Sequence, residues 1–294
     1  MDDSDRPEQD SLAPEPDFGR PEATDADSYL FPRQPKEVNR LDLQHFALRE
    51  ALGANYLAPV HRPRAILDAG TGTGRWAFDL CQLFPHALVA GLDTGSAPKE
   101  ETPPGFRFLR ADIAEGLPFA GASFDFVHQR LLRAGIPLDA WPRVVEDLVR
   151  VTRPGGVVEL VEIRNGVRPS GPATRRLFAL LLQVGEAFHL DLEGPPALAL
   201  DKLLNQAGVK PVRSRYLDVP AGEWGGRKGS FMASNMRAMF TGLSPVFEAR
   251  CQVPAAQTVE LVRTMLEEIE RFRSQCTVAF FWGRKPALEA PGPG

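Results

Sequence analysis

Ile66-Leu67-Asp68-Ala69-Gly70-Thr71-Gly72-Thr73-Gly74-Arg75-Trp76 is the stretch on which the fold turns. Ala65–Ala69 is a short apolar run broken by Asp68, and Arg75–Leu83 has the spacing of a helix, so a strand, a glycine turn and a helix follow one another. Open parallel sheets bind ligands beyond the carboxyl ends of their strands, in the crevice where strand order reverses. Glycines in such a turn remove the Cβ atoms that would hold a ligand off the backbone. The helix start adds free N–H groups.

The spacing narrows the choice of ligand. A dinucleotide fingerprint counted from Gly70 needs a third glycine where Arg75 stands. Counted from Gly72 it ends on Ala77, a tolerated variant, so a nicotinamide oxidoreductase stays open as a rival. No lysine follows Gly74, which excludes a phosphate-cradling P-loop. What stands here is D-x-G-x-G-x-G. An acid at the strand end repels phosphate and suits a cation such as the ammonium group of an amino acid.

Outward from this stretch, strands and helices alternate. Ala87–Leu92 reads as a second strand closed by Asp93, Phe106–Arg110 as a third, Phe124–His128 as a fourth and Val157–Ile163 as a fifth. A helix over Trp141–Thr152 is stopped by Pro154-Gly155-Gly156. This rhythm predicts an α/β fold with a parallel sheet and right-handed crossovers. Upstream, Lys36–Leu52 reads as a helix with Val38, Leu41, His45, Leu48 and Leu52 on one face. The later chain predicts helices over 173–189, 196–207, 231–242 and 256–274, and strands over Val212–Val219 and Thr277–Gly283.

Asp93 ends the second strand, where an acid can accept both hydroxyls of a ribose, with Thr94 beside it. Asp112 follows the third strand; its carboxylate could accept from an adenine amino group while Ile113 packs on the ring. Three acids at the ends of three consecutive strands are hard to explain as three unrelated turns.

Composition bounds the rest. The chain has 294 residues, 43% apolar and 24% charged, with a formal net charge of -4, so it lacks the basic field that nucleic acid needs. Cys81, Cys251 and Cys276 have no metal-ligand spacing and read as small buried hydrophobes. Neither a signal peptide nor a membrane span is visible, which predicts a cytoplasmic protein without a membrane partner. Residues 1–27 are acidic, proline-rich and poor in large apolar side chains, and read as a disordered tail. Residues 287–294 read as a second tail, and 28–286 as one domain.

The ordered series I-L-D-A-G-T-G-T-G, G-L-D, A-D, F-D-F-V-H-Q-R and R-P-G-G-V-V-E-L-V-E resembles class I S-adenosylmethionine (SAM)-dependent methyltransferases, the LaeA/UMTA-like branch in particular. Tyr29–Pro32, Arg40–His45 and Tyr56–Pro59 resemble that branch's upstream motifs, and the likeness spans roughly residues 29–286. The resemblance implies a Rossmann-like seven-stranded sheet with helices on both faces and an antiparallel last strand. It implies an N-terminal lid region over 28–60, a SAM-binding core over 61–164 and an acceptor-side region over 165–286. Asp68, Gly70, Thr71, Gly72 and Gly74 would hold the methionine moiety, Asp93 and Thr94 the ribose, and Asp112 and Ile113 the adenine. Arg40 and Tyr29 would close over the cofactor.

Methyl transfer to a hydroxyl would call for a general base. His128, at the end of the fourth strand, His45 and Glu162 are the three candidates, and His128 could instead pack on the cofactor. The stretch between Val219 and Thr277 carries Trp224, Phe231, Met232, Met236, Met239 and Phe240. These fit a helix core by default, or an adaptable apolar pocket for a small acceptor. The expected activity is methyl transfer to a small, partly apolar molecule in secondary metabolism, and a homodimer is compatible with it. The rival within the same branch is a SAM-binding regulatory protein.

Overall fold

A computed structural model of the chain describes residues 30, 35–98, 101–194 and 199–287. The acidic tail 1–27, Tyr29 and all of the tail 287–294 except Ala287 lie outside the described residues. Along the chain run α1 (Pro35–Leu52), β1 (Ala65–Ala69), α2 (Arg75–Leu83), β2 (Leu88–Asp93), β3 (Phe106–Arg110) and β4 (Phe124–Arg130). They are followed by α3 (Trp141–Val151), β5 (Thr152–Ile163), α4 (Pro172–Ala187), α5 (Leu200–Gln206) and β6 (Arg213–Pro220). Helices α6 (Arg227–Gly242), α7 (Ser244–Cys251) and α8 (Ala255–Phe272) precede the last strand, β7 (Gln275–Arg284).

The seven strands form one sheet in the order β3-β2-β1-β4-β5-β7-β6. Strands β1 to β5 are parallel, and β7 enters antiparallel between β5 and β6. Strand order reverses at β1, between β2 and β4, so the crevice expected after the glycine stretch falls at that switch point. Strand β1 is buried along its whole length because helices cover both faces, which is why it reads as a run of apolar residues rather than an alternation.

Alternate strand residues feed separate cores. Leu67, Val127, Val158, Leu160 and Phe281 pack with Leu148 of α3 and Leu204 of α5. On the opposite face Ile66, Phe126 and Val157 pack with Trp76 and Leu80 of α2. That same face continues over β7 and β5 into Val161, Val278 and Phe280, covered by α4, α6 and α8.

Helix α6 decides how the stretch after Val219 is used. Met232, Met236 and Phe240 are buried in the core with Met265 and Ile269 of α8, while Trp224, Phe231 and Met239 are half-buried beside it. The apolar face of an amphipathic helix has gone into packing, the default for such spacing. Helix α7, with Pro245 in its first turn, was not anticipated; at eight residues it is too short to show a clear period. Val38, expected on the apolar face of α1, is 46% exposed, because that end of the helix overhangs a cavity rather than the core.

Candidate functional site

A cavity of about 520 Å³ opens over the carboxyl ends of β1, β2 and β4, and its lining residues all fall between Glu37 and Ile136. The floor is the glycine stretch. Gly70 and Thr71 N–H groups both donate to Leu92 O, at 2.7 and 2.9 Å, so the turn is drawn across the end of β2. Gly70 has φ +78°, a left-handed conformation that favours glycine, and a Cβ there would press on the Leu132 side chain. Gly70, Thr71 and Gly72 line the cavity. Gly74 does not; its φ of +81° makes the turn into α2 instead.

The three acids stand where the strand ends put them. Asp68 is buried, lines the cavity and accepts from Thr71 Oγ1 at 2.8 Å. Asp93 Oδ2 accepts from Gly72 N at 2.9 Å and Oδ1 from Gly95 N at 2.8 Å, so one carboxylate fastens two loops. Asp93 lines the cavity, where a carboxylate oxygen is an acceptor for hydroxyl donors. Asp112 Oδ1 caps Ala114 N at 2.8 Å, and Ile113 presents an apolar wall. Thr94 lines the cavity beside Asp93.

His128 is placed differently from the expectation. Its side chain lies in a row across the sheet, because β1 pairs Asp68 with His128 and β5 pairs His128 with Glu159. The ring stacks on Trp76 at 3.8 Å between centroids and 4° between planes, is fully buried and does not line the main cavity. Nδ1 faces Asp68 Oδ1 at 3.4 Å, and Nε2 faces Glu159 Oε1 at 3.8 Å. Burial holds the His128 pKa down to about 4 and pushes Glu159 up to about 7. A neutral ring carrying its proton on Nδ1 fits this row. Glu159 in turn accepts from Leu57 N and Ala58 N at 2.8 and 2.7 Å, and Trp76 Nε1 donates to Asn55 O at 2.8 Å. The row thereby pins the segment that follows α1.

His45 lines the cavity but both its nitrogens are used. Nε2 meets Asp79 Oδ2 at 3.2 Å, and Nδ1 meets Arg130 Nη2 at 3.1 Å. Since Arg130 can only donate, Nδ1 accepts and the ring is neutral with its proton on Nε2. Burial, the largest effect, lowers the His45 pKa from its ordinary value.

Glu162 is corrected outright as a group facing the cavity. It lies on the other face of the sheet, fully buried, where Oε1 accepts from Gln129 Nε2 at 2.9 Å and Leu132 N at 2.7 Å. Burial pushes its pKa up to about 7. It anchors the loop after β4 that carries Leu132 to Gly70. Arg40 is likewise turned away: Nη1 donates to Asn235 Oδ1 at 2.9 Å, and Nε and Nη2 bind Glu37 at 2.8 and 2.7 Å, tying α1 to α6. The lid is α1 itself, through neighbours of Arg40 such as Glu37, Leu41 and Asp42. Sequence reading missed these, and it missed Arg130. Arg130 stands in the quoted F-D-F-V-H-Q-R, two residues beyond His128 and so on the same strand face. The six apolar residues of the stretch after Val219 do not reach the cavity.

This donor set fits a group with an amino-acid ammonium, a ribose and a purine: Asp68, Asp93, and Asp112 with Ile113, in order across adjacent strands. Among the described residues no cluster of metal-ligating side chains occurs, and no helix is long and apolar enough to cross a membrane.

Residues 66–156 match a family described as a methyltransferase domain. The methyltransferase pytC of Aspergillus terreus is 31% identical over 208 residues, covering 68% of this chain, and the chain spans only 63% of that relative's length. The N-methyltransferase sirN of Leptosphaeria maculans is 27% identical over 89% of this chain and 96% of its own length. The secondary metabolism regulator laeA of Fusarium oxysporum f. sp. lycopersici is 28% identical over 88% of this chain and 87% of its own.

Proposed function

We propose that this chain, a class I SAM-dependent methyltransferase related to the LaeA-like proteins, methylates a small, partly apolar molecule of secondary metabolism at a neutral nitrogen. The observation that carries the reading is the cavity over β1, β2 and β4, with a carboxylate at each of three successive strand ends and a glycine floor. Asp68 with Thr71 would hold the ammonium end, Asp93 and Thr94 the ribose, and Asp112 with Ile113 the adenine. Bound SAM supplies a methyl group already activated by its sulfonium.

The chain's own contribution is alignment, which can supply several kcal/mol, up to roughly 7–11 in the best intramolecular cases. His128 is sealed beneath the floor, His45 is held between Asp79 and Arg130, and Glu162 is on the far face. None of the three is placed to take a proton from an acceptor in the cavity. An amine that arrives with its lone pair free needs no such base in the transfer step, which favours nitrogen over a hydroxyl. The acceptor would lie against α1 and the loop 131–136, the walls that Leu41, Leu132 and Ile136 make apolar.

The kinship with laeA favours a second reading, a regulatory protein with little turnover. Calorimetric titration of the full chain with SAM and, separately, NADH tests the cofactor: SAM should bind and NADH should not. Incubation with methyl-labelled SAM and a panel of small amines and phenols then tests the chemistry. Label in an amine product is expected. SAM binding with no labelled product from the panel would move the chain to the regulatory reading, and label only on phenols would refute the nitrogen assignment.

A further inference from the structure

The sheet ends in two edges, and they are finished differently. The β3 edge is five residues long, and Arg107 folds back over it, its Nη1 donating to Pro104 O and Phe106 O at 2.8 Å each. A short strand and a charged side chain laid on the backbone are common guards of an edge. The β6 edge is longer, at eight residues, and pairs with β7 in unbroken register. Arg213 to Tyr216 and Asp218 are exposed along it. Tyr216 is 56% exposed although its ring meets Phe281 of β7 edge-on, with centroids 6.2 Å apart. Among the described residues no strand pairs with the outer side of β6.

The register shows which backbone groups that side offers. Ala221 N donates to Ser274 O at 2.9 Å, one step beyond the Pro220–Gln275 pair. Backbone groups of an antiparallel strand alternate between its two sides, so the odd-numbered residues of β6 face β7, and Ser214, Tyr216 and Asp218 turn theirs outward. Pro220, which has no N–H to offer, falls in the outward set, where proline is tolerated. The strand is also polarised, with Arg213 and Arg215 at its start, Asp218 towards its end and Glu223 just past it. We propose that this edge binds a second copy of the chain, β6 against β6, antiparallel about a two-fold axis at Tyr216. Tyr216 then exchanges both backbone hydrogen bonds with Tyr216 of the second copy, and Ser214 does so with Asp218 of the second copy. Arg213 and Arg215 fall opposite Val219 and Leu217 of the second copy, so no like charges face each other. The basic start of each strand lies along the acidic end of the other, the self-complementarity that a two-fold interface requires. An axis on Ser214 or Arg215 would set arginine against arginine, and one on Leu217 would set Ser214 against Pro220, which cannot donate. The cavity lies over β1, β2 and β4, with β5 and β7 between it and β6, so both copies keep an open site. The inference goes beyond the methyl-transfer reading and does not depend on it.

Sedimentation velocity on the full chain reads the mass, and a species of twice 32.3 kDa is expected. Tyr216→Pro leaves the β7 ladder its hydrogen bonds and removes the N–H that each copy offers at the axis. It should raise the dimer dissociation constant by on the order of 10–100-fold. Cysteine trapping reads the register separately. A hydrogen-bonded antiparallel pair holds its Cα atoms about 5.5 Å apart, within disulfide reach, so Tyr216→Cys should give a covalent dimer under mild oxidation. Ser214→Cys should not, because its counterpart lies about 13 Å away along the strand, at the far side of the axis. Cys81 and Cys276 are buried, and the unaltered chain run alongside gives the background from Cys251. The cysteine variants leave every backbone group in place, so they decide the matter should Tyr216→Pro fail to fold. A chain that sediments as a monomer throughout overturns the proposal. So does a dimer that Tyr216→Pro leaves intact, or trapping at position 214 as readily as at 216.

Discussion

At the ends of β1 and β2 and just past β3, Asp68, Asp93 and Asp112 face open space, whereas Glu162, at the end of β5 in the same sheet, is sealed from it. The four residue types and their places along the strands are nearly equivalent. What separates them is what lies above. Over β1 and β2 a turn of glycines hugs the strand ends and leaves a cavity; past β5 the chain turns into a loop whose amides Glu162 must satisfy. The comparison teaches that a strand-end carboxylate becomes a ligand group only where the following connection leaves room, and otherwise becomes a clamp on the backbone.

The contrast can be broken most forcefully in the packed half. Phe240→Ala removes a fully buried ring between α4, α6 and α7, and should cost about 3–5 kcal/mol in denaturant unfolding. The folded variant should bind S-adenosylhomocysteine as the unaltered protein does. Weaker binding would mean that the two halves are energetically one.

Asp93→Ala is the matching change on the open side. Stranding two hydroxyls and freeing the Gly72 and Gly95 amides should weaken SAM binding by about 1–3 kcal/mol in the same titration. Affinity that stays put would take the ribose away from Asp93.

The smallest effect concerns Glu162. Its folded pKa of about 7 lies above the ordinary 4.5, so the folded state holds a proton that the unfolded chain gives up, and stability falls as pH rises from 4.5 through 7. Glu162→Gln mimics the protonated form and removes that loss. Relative to the unaltered protein it should gain on the order of 1–2 kcal/mol between pH 5 and pH 8 in melts followed by circular dichroism. A stability difference that is flat with pH would show Glu162 ionised in place.

The open half was far more legible in sequence than the packed half. Glycines and acids at strand ends carry position-specific chemistry, so Asp68, Gly70, Gly72, Asp93 and Asp112 could be placed at the crevice from spacing alone. The antiparallel sense of the last strand came from resemblance, and its place between β5 and β6 was not legible at all, since neither leaves a local mark in composition. Histidine was the weak point. His45 and His128 sit at correctly read positions, yet their roles depend on Asp79, Arg130 and Glu159, residues reached only through tertiary pairing. Met232, Met236 and Phe240 show the same limit, because helical spacing of apolar residues is identical for a core face and a pocket wall.

Helix α1, the wall over the cavity, is fastened by residues from far downstream: Glu159 holds Leu57 and Ala58, and Asn235 holds Arg40 across 195 positions of sequence. The consequence is one of timing. A nascent chain that has emerged only as far as β4 already contains the glycine turn and all three acids, but its roof then has only its ties to α2 and Arg130 and lacks those to β5 and α6. Loop closure over such separations comes late in folding. A competent cofactor site is therefore a property of the finished polypeptide, and capture of the nucleoside reports that synthesis has passed α6.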